Sequence, residues 1–194
     1  IGADDGAVGA PGLTFADDLN NGFYRIGTNN WAAAAAGAKV WEVSAAGEIT
    51  TPLNPAFEAY VGGDVLDQFG NDVIYTPKFG STSEDYDRNN DFNTGTYTFT
   101  APVTGVYYFS ANFSMYGLVS GHGRTYMSVV TSNGDGVLWQ AVPLPIVFST
   151  TITLTGGCSR DMDAADTSYI SVKVFGGGQT VDYTNSTFTG ALLG

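Results

Sequence analysis

The sequence predicts an all-β protein of antiparallel strands packed as a sandwich or barrel, and three observations lead there. First, aromatic residues make up 13% of the chain, and 26 of its 194 residues are Gly. Aromatics suit pleated, half-buried strands, and Gly suits the tight turns between them. Second, residues 106–115 alternate. Tyr107, Phe109, Ala111, Phe113 and Met115 fall on one side, and Tyr108, Ser110, Asn112 and Ser114 on the other. That period of two marks a strand with one dry and one wet face. Third, such segments recur at short spacing with no amphipathic helical stripe between them, the pattern of a sandwich or barrel.

Taken in order, the chain shows two zones. Residues 1–51 are rich in Gly, Ala, Asn and Asp. Pro52 and Pro55 then flank Leu53 and Asn54 as a linker or turn, so the expected division is 1–53 and 54–194. The alanine run 32–36 is the best local helix signal. It ends at Gly37 after one turn's length, and isolated helices that short are marginal, so it reads as a strand or packed coil. In the second zone, 97–100 and 106–115 read as a hairpin across the turn 102–105. Strands follow at 125–131, 137–141, 146–154, 168–175 and 187–193, with a turn signal at 132–136.

Charge and cysteine content narrow the function classes. With 7 basic and 19 acidic residues, the net charge is −12 and the isoelectric point near 4.1. No basic patch offsets this, which excludes nucleic-acid binding and disfavours anionic membranes. No transmembrane run, signal peptide or transit peptide is visible, so membrane insertion is not expected. The single Cys158 allows no internal disulfide and fits folding in a reducing cytoplasm. The chain opens on Ile1, the expectation being a processed or truncated product of a longer protein.

Residues 92–111 resemble the signature of the complement C1q globular-head family, whose jelly roll is shared with the tumour necrosis factors. Asp87, Phe92, Phe99, Gly105, Tyr107 and Phe109 fall at the signature's spacings. Two positions depart from it. Ser81 stands where an opening Phe is expected, with Phe79 the nearest candidate, and Ala111 replaces the closing aromatic. Residues 186–193 resemble the family's last strand. The resemblance spans about 54–194 and implies an antiparallel jelly-roll sandwich, Greek-key connections and a homotrimer. In the first zone, residues 10–25 (Pro11-Gly12-Leu13 leading to Asn21-Gly22-Phe23-Tyr24) and 40–49 resemble a segment recurrent in phage tail-fibre proteins.

Together the two resemblances imply a phage tail-fibre tip: a small β-rich shaft or neck segment, 1–53, that carries a trimeric head, 54–194. Its expected partners are two further copies of itself, other virion tail proteins and a host surface receptor, a saccharide. Its expected location is the virion, after assembly in the host cytoplasm. Alternatives are a capping or decorating protein without a receptor, a secreted bacterial adhesin, and a fibre depolymerase. The shaft has little apolar surface to offset its ordering entropy, so an obligate trimer with wrapped shafts is expected.

In this family's head the termini lie at the base. Counting back from the last strand makes 116–124, 142–145 and 176–186 apical loops, and 102–105, 132–136 and 156–167 basal ones. A fibre tip meets the host apically, so the expected receptor contacts are Tyr116, His122, Arg124, Gln179, Asp182, Tyr183 and Asn185. Their rings, amides and carboxylates suit saccharide recognition, although each one alone reads more readily as an ordinary solvated loop residue. Asp85, Asp87, Asn89 and Asp91 have calcium-loop spacing, but Asn90 occupies the position where such loops have Gly, and Thr96 the position of the closing Glu. Asp87 also reads as a turn cap. Asp161, Asp163 and Asp166 read as a solvated basal turn. No enzyme is expected. His122, the one histidine, sits between Gly121 and Gly123, and Cys158 reads as a loop thiol with no base to activate it.

Overall fold

The computed structural model describes residues 2–119, 121–141, 151–178 and 180–194. The chain divides into two compact units, Ile1–Asn54 and Pro55–Gly194.

The first unit contains β1 (Gly6–Ala7), β2 (Ala10–Pro11), β3 (Leu13–Phe15), β4 (Asp18–Gly27), β5 (Asn30–Ala35), β6 (Ala38–Val43) and β7 (Ile49–Thr50). β1 and β2 form a small ribbon. β3 to β7 form a five-stranded meander in chain order. The alanine run is strand up to Ala35. Ala36 and Gly37 then take left-handed φ values of 50° and 75° and turn the chain into β6.

The second unit contains β8 (Ala56–Phe69), β9 (Ile74–Tyr75), β10 (Ser83–Arg88), β11 (Phe92–Asn93), β12 (Thr98–Thr100), β13 (Gly105–Tyr116), β14 (His122–Thr131), β15 (Gly134–Ala141), β16 (Ile152–Met162), β17 (Thr167–Gly176) and β18 (Val181–Leu192). One sheet has the order β10-β8-β18-β13-β16. The other has the order β11-β12-β17-β14-β15, with β9 added beside β17. The named strand pairs are all antiparallel. Neighbours are mostly distant in sequence, as in a Greek-key sandwich.

The dry face of residues 107–115 is core: Tyr107, Phe109, Phe113 and Met115 are fully buried. Phe57 centres an aromatic cluster, with ring centroids 4.7 Å from Phe92, 5.1 Å from Phe99 and 5.0 Å from Phe188. Each such side chain contributes about 1.5–3 kcal/mol by leaving water. Phe79 lies buried beside Phe188, so the aromatic missing at Ser81 is supplied two residues earlier.

Four expectations about elements need correction. β12 pairs with β11 and β17, not with β13, so 97–100 and 106–115 do not form a hairpin. The bend at 102–104 instead carries the chain from one sheet to the other. β16 runs to Met162, so most of the expected basal loop 156–167 is strand, and its turn is confined to 163–166. β18 starts at Val181, not 187, and β14 already starts at His122. The expected loop 142–145 and the first part of the expected strand 146–154 lie outside the described residues.

Candidate functional site

The second unit has two distinct ends. At one end, the Val106 amide donates to the Gly194 carbonyl and the Leu192 amide to the Pro55 carbonyl, so both chain ends of the unit meet there. The turns at 132–133 and 163–166 share that end: Asp166 accepts hydrogen bonds from Ser132 Oγ, from Asn133 Nδ2 and from the Asp163 amide. The Ser132 bond, first among these, holds the Asp166 carboxyl below its ordinary range. The Asp166 of the acidic cluster is thus a turn brace. The opposite end carries residues 117–119, residues 177–178 and the segment 70–73.

Five of the seven expected receptor contacts reach that opposite end. Tyr116 ends β13, and its hydroxyl donates to Asp64; burial first, then Asp64, pushes the phenol up. Its register partner Asp182 accepts the Asp67 amide through Oδ1 at 2.6 Å. Arg124 lies opposite Phe175 on β17, its guanidinium 3.9 Å from the ring centroid. His122 and Tyr183 reach this end as well, but as buried groups.

Those two are corrections. His122 is only 2% exposed. Its Nδ1 accepts the Val119 amide at 2.8 Å, so it braces Val119 and is not a mobile contact. Tyr183 is fully buried, its hydroxyl accepting the Lys78 amide at 3.0 Å, because β18 points it into the core. Asn185 is exposed but sits at a bulge within β18, with φ at 39°, where it accepts the Tyr60 hydroxyl at 2.7 Å. Gln179 lies outside the described residues.

The structure adds residues that the sequence did not single out. Lys173 Nζ lies 4.4 Å from the Phe175 centroid and 3.3 Å from Asp72. Tyr126 packs on Phe175 at 5.7 Å. Arg124, Tyr126, Lys173 and Phe175 therefore form one half-exposed cationic and aromatic cluster on the outer face of β14 and β17. Arg124 has no carboxylate partner among the described residues. Cross-strand pairing of alternate residues was the available signal: 168–175 was legible as a strand, but its partner register was not.

Asp85 and Asp87 lie in β10, and Asp87 turns both oxygens inward to the chain, Oδ1 accepting the Asp91 amide at 3.1 Å and Oδ2 the Phe92 amide at 3.0 Å. Among the described residues, no three His, Cys, Asp or Glu side chains converge as metal ligands. A polar cleft of about 460 Å³ lies nearby, lined by Glu84, residues 90–94, Thr100 and Pro102. Burial, then the Asp87 charge, raises the carboxyls of both Glu84 and Asp91. Cys158 stands in β16 opposite Phe109, not in a loop, and burial raises its thiol.

The fold has counterparts among solved structures. The globular domain of zebrafish complement 1qA is 22% identical over 73% of this chain and 98% of its own, with a TM-score of 0.54. Murine APRIL, crystallised at pH 8.0, is 6% identical over 72% of this chain and 99% of its own, with a TM-score of 0.50. The fold is a C1q/TNF-like jelly roll. No family model and no curated protein matches the chain. In this jelly roll the cationic and aromatic cluster occupies the end remote from Pro55, where the chain enters.

Proposed function

We propose that this chain is the distal part of a bacteriophage tail fibre, a homotrimer whose jelly-roll head recognises a saccharide on the host surface. The observation that carries the reading is the cluster of Arg124, Tyr126, Lys173 and Phe175 at the end away from Pro55. In a chain with only 7 basic residues against 19 acidic ones, two of the cations stand together here over one aromatic ring. Such a surface offers hydrogen-bond donors and a ring face, the groups that hold a saccharide bearing a carboxylate. The fibre reading is supported by the tail-fibre-like segments 10–25 and 40–49 preceding a C1q/TNF-like jelly roll, a fold whose family resemblance implies trimers. Its partners are then the other virion tail proteins and the host receptor, and its location the virion. No step of this reading requires catalysis.

The test is saturable binding of the fluorescently labelled full chain to a panel of bacterial cells, with its mass in solution measured alongside. A trimer that binds one host, and is displaced by that host's surface polysaccharide, is the expected result. A trimer that binds its own phage's host no better than other cells favours a capping role. A monomer overturns the fibre reading.

A further inference from the structure

The first unit has its large apolar side chains on the outside. Its buried hydrophobic residues are Ala32, Ala33 and Ala34. The strand register sets Leu13, Phe23, Ala33 and Trp41 in one row, and Arg25, Trp31, Val43 and Ile49 in the next. Side chains at paired positions share a face. The rings of Phe23, Trp31 and Trp41 touch, with centroids 4.8–6.1 Å apart. Yet Leu13 is 58% exposed, Phe23 45%, Trp31 42% and Ile49 70%.

Together these four residues leave on the order of 400 Å² open. That is within the roughly 300–600 Å² of a monomer's largest patch, and about half of the ~800 Å² that each partner brings to a stable interface. A unit this small is marginal even with a core of its own.

We infer that this aromatic sheet face is a seam between copies of this chain, so that the first unit acquires its core from its neighbours. The inference rests on the homotrimer reading and names the surface that reading needs. Charge selects the occupant. Copies carrying −12 each repel through most of their surface. The charges bordering this face are Asp4, Asp5 and Arg25, and Arg25 is neutralised by Asp5 at 2.9 Å. Lys39 and Glu42, which pair with each other, lie in register with Ala34 and Ala32, away from the rows of the aromatic rings. A weakly charged apolar face on a strongly acidic chain is where like copies can meet, and a copy is always present in equal amount.

The test labels the full chain with fluorotryptophan and assigns its three tryptophan resonances with Trp→Phe variants. The solvent isotope shift of Trp31 is read by fluorine NMR beside the mass in solution. The expected result is an oligomer in which that shift is severalfold smaller than for the denatured chain, and in which Ile49→Asp restores it or lowers the mass. Ile49 is 70% exposed within the chain, so this variant does not disturb the unit's own packing. An oligomer with Trp31 fully shifted overturns the seam and leaves the trimer standing. A monomer overturns both. A shielded Trp31 in a monomer, or shielding that survives Ile49→Asp at unchanged mass, assigns the cover to something else and also overturns the seam.

Discussion

The hydroxyls of Tyr75 and Tyr183 lie 3.2 Å apart, in a line of hydrogen bonds that starts at the Lys78 amide and ends on Gln68 Oε1. The line ties the segment before β10 to β18, which explains why Tyr183 is a structural residue and not a receptor contact. Tyr183→Phe leaves the part-buried Lys78 amide without its acceptor. It is expected to cost about 1–3 kcal/mol in denaturant unfolding, with host-cell binding unchanged.

The same pair sets an alkaline limit. Burial, the largest cause for each, raises both phenols above their ordinary value of 10.0. Folded-state values above the unfolded ones mean that the folded protein holds protons the unfolded chain releases. Stability from this pair is therefore complete below about pH 10 and lost as pH rises beyond it. Melting temperatures recorded from pH 8 to 11 should fall above about pH 10, and the fall should be shallower in Tyr75→Phe/Tyr183→Phe.

How much of this was legible in the sequence depended on period and on glycine. Residues 106–115 declared themselves because inward and outward positions differ in type without interruption. β18 was hidden at its start, since Asp182 and Asn185 look like loop residues and bulges shift its register around Tyr183 and Asn185. β16 was hidden by Gly156-Gly157, which read as a turn. A Cβ at Gly157 would come within 2.2 Å of the Tyr108 hydroxyl, so that glycine serves close packing beneath a neighbouring ring, which no local pattern announces. Of the site, Arg124 was legible as a cation near the remote end. Its companions Phe175 and Lys173 depended on the β14–β17 register, a long-range fact.

Gly177 illustrates how His122 is held. A Cβ there would come within 2.4 Å of His122 Nε2, and its φ of 76° disfavours side chains. Gly177→Ala is expected to destabilise the jelly roll by about 1–3 kcal/mol through overpacking. Gly178→Ala, with open space around its Cβ position, should be within about 0.5 kcal/mol of the parent protein. Paired thermal melts check the difference.

Asp87 separates a turn cap from a calcium ligand. Both of its oxygens already accept backbone amides. Asp87→Ala should therefore lower stability by about 1–3 kcal/mol, and EDTA should leave the melting temperature and cell binding of the parent protein unchanged. A melting temperature that drops in EDTA and recovers with calcium would show that the carboxylates around β10 act as ligands.

The cluster at Phe175 makes the sharpest functional prediction, because its members are dispensable to the fold. An exposed cation–π contact contributes about 0.5–1 kcal/mol, and a surface ion pair such as Lys173–Asp72 about 0–1 kcal/mol. Arg124→Ala should therefore melt close to the parent protein. A charge-assisted hydrogen bond to a saccharide carboxylate contributes about 1.5–3 kcal/mol, roughly a ten- to hundredfold change in affinity. Arg124→Ala should weaken host-cell binding by that factor, and the parent's binding should weaken with salt as exposed charges are screened. Asp161→Asn, which lies opposite Val106 at the end near Gly194, should bind as the parent does. Equal binding by Arg124→Ala and the parent, at matched stability, would remove this cluster from the receptor site.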